Sequence, residues 1–157
     1  MKRSRPSLSR LCAVTFFAVS AASIGHEPAR ADGAVEVKGF HSRVRARMTA
    51  LGQLAELNGK YQLRVTEITI DPEGYMKPHH HLGPGVRCIM SGELTYVFRG
   101  AITIYRAGDC FTETGDESHE ARNAGATPVV LHNSELLPAS LPENKTSLIP
   151  LPTAPGK

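Results

Sequence analysis

The stretch Gly74-Tyr75-Met76-Lys77-Pro78-His79-His80-His81 decides how this chain folds. Pro78 argues against a helix, because a helix does not readily run through proline. In an extended chain, residues i and i+2 point to the same face. His79 and His81 then project together, and His80 points the other way. Two imidazoles on one face are half of a metal site, since imidazole suits zinc, iron, nickel and copper. His119, beyond a turn-rich segment, is the third candidate ligand.

Outward from that stretch, the chain reads as short strands punctuated by turns. Asn58-Gly59 is a hairpin signal, and Tyr61 to Ile70 is rich in β-branched residues before the turn Asp71-Pro72-Glu73-Gly74. Val86 to Met90 is a short apolar run ended by Ser91-Gly92. Leu94 to Phe98 and Ile102 to Tyr105 flank Arg99-Gly100, a second hairpin candidate. Ala107-Gly108-Asp109 turns again, and Thr127 to Leu131 is a last strong strand. Turns at this spacing indicate a sandwich or small barrel. Arg43 to Leu57 fits either one helix, with Val44, Met48, Leu51 and Leu54 on one side, or two strands. The proline-rich tail from Leu137 has no periodicity and reads as an extended arm or disorder.

The first thirty or so residues read as a targeting segment. Lys2, Arg3, Arg5 and Arg10 precede an apolar run from Leu11 to Ile24, which is too short to span a bilayer. Ala29-Arg30-Ala31 is a small-x-small cleavage site before Asp32. The expected layout is therefore a signal peptide at 1–31, an N-terminal extension with strands at 32–59, a barrel at 60–136 and a tail at 137–157. The full chain carries a formal charge of +3, but from Asp32 onward 13 Lys and Arg face 14 Asp and Glu. No basic patch remains for nucleic acid, and no membrane contact is expected after cleavage. Export implies an oxidising compartment, periplasmic or extracellular. There Cys88 and Cys110 form one disulfide or stay as two buried thiols; their spacing does not choose.

These residues resemble the cupin superfamily. Gly74, His79, His81 and Gly92 match its first motif, and Gly108, His119 and Asn123 match its second. The resemblance covers roughly residues 60–135 and implies an all-β, double-stranded β-helix (jelly-roll) barrel. It also implies one divalent metal on His79, His81 and His119, with Asn123 supporting the strand that carries His119. Iron, zinc, manganese and nickel are not distinguished. The motif's glutamate falls on Gly85, so the usual carboxylate ligand is absent. Thr114 and Asp116 replace the second motif's proline and glycine. Some cupin dioxygenases use three histidines alone. In the cupin topology the strands carrying Cys88 and Cys110 are neighbours, which favours the bridge.

Glu113 either reaches inward, as a replacement ligand or general base, or is a turn residue in water like Asp116, Glu117 and Glu120. Arg87 shares the face of Gly85 by the two-residue period. It reads as a fork for a substrate carboxylate or phenolate, or as an arginine snorkelling at the barrel mouth. Tyr96 and Tyr105 read as packing residues, and His41 and His132 as ordinary histidines. The function expected is a metal-dependent, dioxygenase-like enzyme acting on a small oxygenated or aromatic compound. The alternatives are a non-catalytic binder of small anions or sugar acids, and a sugar-type isomerase. A homodimer through an outer sheet is a further expectation.

Overall fold

The computed structural model describes residues 33–152. The expected signal peptide and the expected Ala31/Asp32 cleavage site lie outside the described residues. Among the described residues nine strands follow in order: β1 Val37–Met48, β2 Tyr61–His81, β3 Gly85–Ser91, β4 Glu93–Phe98, β5 Ala101–Arg106, β6 Cys110–Glu113, β7 His119–Arg122, β8 Val129–Pro138 and β9 Leu148–Pro150. The path β5-β4-β7-β2-β8-β3-β6, with β1 and β9 also on β2, curls into a nearly closed antiparallel jelly-roll barrel.

Strand β2 holds the barrel together. Its first half pairs with β8, from Tyr61 opposite Pro138 to Ile70 opposite Val129. Its second half pairs with β7, with His79 opposite His119, and with β9. The Asp71–Gly74 stretch does not end the strand, as a turn would. It bends β2 from one sheet into the other. Glu73 sits at φ 61°, and a Cβ on Gly74 would lie 2.7 Å from the Asp71 carbonyl oxygen, so the crossing needs glycine. The backbone of Asn123 bonds to both Glu73 N (3.1 Å) and Gly74 O (2.9 Å), and its side chain donates to the carbonyls of Ile70 and Thr127. This is how the second-motif asparagine supports its strand.

The inward face of β2 carries Gln62, Arg64, Thr66, Ile68 and Ile70, then Met76, then His79 and His81. The parity changes from even to odd where the register to β7 shifts between Met76 and His79. That irregularity, at Lys77-Pro78, brings both histidines onto the same interior as Met76. The dry end of the barrel packs Ile70, Ile89, Leu94, Val129 and Leu131. Burying an aliphatic side chain of this kind contributes about 2 kcal/mol.

Segment 43–57 is neither one helix nor two strands. Arg43–Met48 completes β1, and the return to β2 holds a single 3₁₀ turn at Ala55–Leu57. Arg99-Gly100 forms the expected two-residue hairpin, with φ of 50° and 80°. The boundary drawn at Leu137 falls inside β8, where Leu137 is fully buried. The tail beyond it lies against the barrel: β9 pairs with His79–His81, and the Ser147 hydroxyl bonds to Glu135. Prolines suppress periodicity in this tail, but edge pairing of three residues needs none.

Candidate metal centre

His79 and His119 sit directly opposite on adjacent strands, and His81 follows two residues on. A nitrogen from each lies within 4.8 Å of the other two. All three side chains are buried. His80 points away and is half-buried.

The hydrogen bonds fix which nitrogen each ring presents. His79 Nδ1 donates to the Lys77 carbonyl at 2.8 Å, His119 Nδ1 to the Glu117 carbonyl at 3.2 Å, and His81 Nδ1 to Glu135 Oε1 at 2.9 Å. In a neutral ring the other nitrogen, Nε2, is then a lone-pair acceptor. His79 Nε2 is buried and has no partner. The Nε2 atoms of His119 and His81 lie 3.1 and 3.3 Å from the two oxygens of Glu113. Lone pairs facing a carboxylate at that distance repel unless a cation stands between them. At His119 a proton does not meet that need at neutral pH. Burial first, then the neighbouring imidazoles, pushes His79 down to about 3 and His119 down to about 4. Two ligand atoms about 2.1 Å from one metal and at a right angle are about 3 Å apart, which matches the contacts to Glu113. The residues therefore fit a divalent metal on three imidazoles and one carboxylate. The cavity between them, about 20 Å³, has room for a single ion or water.

The missing motif glutamate is explained by space. A Cβ on Gly85 would lie 2.4 Å from Arg87 Nη1 and 3.0 Å from Glu135 Cγ. Arg87 and Glu135 fill the volume that side chain would take, and the carboxylate arrives instead from Glu113 on β6. Glu113 is not a solvated turn residue: its side chain is 7% exposed.

Arg87 is neither a free fork nor a snorkelling arginine. Its side chain is 3% exposed, and Nη2 lies 2.7 Å from Glu113 Oε2 and 3.2 Å from Glu135 Oε1. Two carboxylates already compensate its charge, so it holds them in place. Glu135 escapes sequence reasoning altogether. Burial alone would raise its pKa, but the hydrogen bond from His81, with the Arg87 charge and the Ser147 hydroxyl, holds it below the usual range. A carboxylate that orients a ligating histidine in this way tunes a metal centre.

Tyr96 does more than pack. Its ring lies 5.1 Å from that of His119, and burial, followed by the charge of Glu113, pushes its phenol up. Together with Phe98, Tyr105 and Phe111 it lines a recess of about 270 Å³ whose wall includes Glu113 and His119. Tyr105 stacks on Phe111 with centroids 4.1 Å apart. His41 pairs with Asp71 and His132 with Glu67, both at the surface. Cys88 and Cys110 lie opposite each other on β3 and β6 and are joined by a disulfide.

With this site and fold in view, residues 66–135 match the family model described as Cupin domain. Residues 66–135 form a cupin domain. The cupin is similar to a solved RmlC-like cupin from Shewanella frigidimarina, at 21% identity over 68% of this chain and 86% of that one, with a TM-score of 0.49. It is also similar to a cupin domain from Bordetella pertussis, at 20% identity, 62% and 93% coverage and a TM-score of 0.47. A third similar structure is the polyketide cyclase RemF from Streptomyces resistomycificus, at 15% identity, 72% and 84% coverage and a TM-score of 0.49. Among curated proteins, none matches this cupin.

Proposed function

We propose that this chain is an exported, metal-dependent cupin enzyme of the dioxygenase-like kind, acting on a small aromatic or oxygenated compound. The observation that carries the reading is the convergence of three histidine Nε2 atoms and the Glu113 carboxylate beside an aromatic recess. A divalent metal bound there supplies Lewis acidity and, if redox-active, chemistry with O₂.

The chain's own residues have separable tasks. Phe98, Tyr105 and Phe111 offer flat apolar surface to a ring or short carbon chain. Tyr96 keeps its phenol proton and directs it at Glu113, which ties the recess to the carboxylate beside the histidines. Arg87 fixes the position of Glu113 through an ion pair at 2.7 Å. Burial of the histidines excludes bulk water from the ligand atoms. Export is inferred from residues 1–31 and accords with the Cys88–Cys110 bridge.

The test is metal analysis of protein taken from its native compartment, followed by oxygen-uptake measurements with a panel of small phenols, diketones and thiols. Iron together with uptake for one of these classes is the expected result. Zinc, with no uptake for any, overturns the dioxygenase-like reading, because zinc has no redox chemistry.

A further inference from the structure

A second cavity, of about 330 Å³, opens between β1, the first half of β2, β8 and the tail segment 143–147. It shares no residue with the aromatic recess. That volume lies within the range of small-molecule sites.

Its wall contains a buried cation without a counter-ion. Arg64 is 3% exposed, and among the described residues no carboxylate lies within ion-pair distance of it. Glu135, on the same wall, is committed to His81, Arg87 and Ser147. The Arg64 guanidinium instead donates from Nη1 to the carbonyl of Lys145 at 3.1 Å, which sets its position but supplies no ion pair. Buried charges are ordinarily paired, because an isolated one costs far more than a hydrogen bond returns. Burial pushes the Arg64 pKa down, and Glu135 only partly counters this.

Three buried polar atoms on wall residues also lack partners: Arg64 Nε, Thr66 Oγ1 and Asn133 Oδ1. They amount to one obligatory donor, one hydroxyl that donates or accepts, and one acceptor. Thr66 and Asn133 are direct cross-strand neighbours, so two of the three are grouped. Glu135 and, at the rim, Glu143 favour the Arg64 charge from beyond ion-pair distance, and Arg47 opposes it.

We propose that this cavity binds a small hydroxylated monocarboxylate, with its carboxylate against Arg64 and a hydroxyl against Thr66 and Asn133. One buried cation suits one negative charge better than the near-double charge of phosphate. The grouped donor and acceptor suit a hydroxyl, which can serve both. The site shares Ile68 and Asn133 with the cavity of the metal centre, but none of its three open polar atoms belongs to a histidine of that centre.

Calorimetric titration of the purified full chain tests this with three probes: gluconate, its uncharged counterpart sorbitol, and inorganic phosphate. Gluconate is expected to bind at least about tenfold tighter than either of the others. Arg64→Gln should weaken gluconate about tenfold to a hundredfold, the range for losing a charge-assisted hydrogen bond. Ser42 lines the same cavity and is exposed, so Ser42→Trp fills the cavity without touching the buried network and should also abolish binding. His119→Ala should leave gluconate binding intact, which separates this site from the metal centre. Absence of gluconate binding overturns the proposal, as does phosphate binding as tightly as gluconate. Unchanged affinity in either Arg64→Gln or Ser42→Trp overturns it too.

Discussion

Glu135 Oε1 lies 2.9 Å from His81 Nδ1, inside the barrel and out of reach of bulk solvent. This contact fixes the tautomer and the ring plane of a candidate ligand, and Arg87 and Ser147 hold the carboxylate in turn. A partner of this kind typically contributes 10-fold to 100-fold in metal affinity. Glu135→Gln preserves shape but removes the charge. It should weaken metal binding by about that factor in a competition titration with a chromogenic chelator. Affinity equal to the wild type would mean that His81 is oriented by packing alone.

Glu113 stands 3.1 Å from His119 Nε2 and 3.3 Å from His81 Nε2, where a fourth ligand belongs. Glu113→Gln keeps the side-chain volume and loses the anion. The expected outcome is a loss of at least about tenfold in metal affinity, with the metal-free fold retained by circular dichroism. Undiminished affinity would leave a three-histidine site with Glu113 as bystander.

The buried histidines make the metal-free protein acid-sensitive. His79 is pushed down to about 3 and His119 to about 4, while an unfolded histidine titrates near 6.5. Between those values the unfolded chain takes up protons that the native chain refuses. The native state is therefore disfavoured progressively as pH falls from about 6.5, and these groups have no effect on stability above about 7. The loss by pH 5 is about 2 kcal/mol per histidine. Urea midpoints in the presence of chelator should be clearly lower at pH 5 than at pH 7. His119→Gln should flatten that dependence. A midpoint that rises on acidification would contradict the buried, neutral assignment.

The Cys88–Cys110 bridge closes a 22-residue separation and ties β6, which carries Glu113, to β3, which carries Arg87. Closing a loop of that size contributes about 3 kcal/mol. Alkylation of unfolded, unreduced protein followed by mass spectrometry should find neither cysteine modified. Cys110→Ser should lower stability by roughly that amount. Labelling of both residues would rule the bridge out in solution.

The parts of this molecule legible from sequence are those with short-range signals. Pro78 and the i, i+2 rule place His79 and His81 together, because the parity of a strand is local. The Arg99-Gly100 hairpin is readable for the same reason. The bend at Asp71–Gly74 reads as a turn because its chemistry is that of a turn. Long-range pairing, to Asn123 and to β1 at Ile70, Tyr75 and Met76, keeps β2 continuous through it. Glu135 is hidden because the apolar signal of β8 fades after Leu131. The strand in fact alternates inward through Asn133, Glu135 and Leu137. An acid on the buried face of an alternating strand is the clue that period-two counting carried to Pro138 would have supplied. Arg87 could be placed on the inner face, but its two carboxylate partners come from strands that sequence spacing does not bring together.

The central claim is that His79, His81 and His119 form one metal centre and that His80 stands outside it. Metal content per chain, measured by mass spectrometry on wild type and four single alanine variants purified in parallel, tests it most directly. The account predicts about one divalent metal in the wild type and in His80→Ala, and a near-complete loss in each of the other three. Loss of metal in His80→Ala with retention in His81→Ala, or full metal in all four variants, would contradict it.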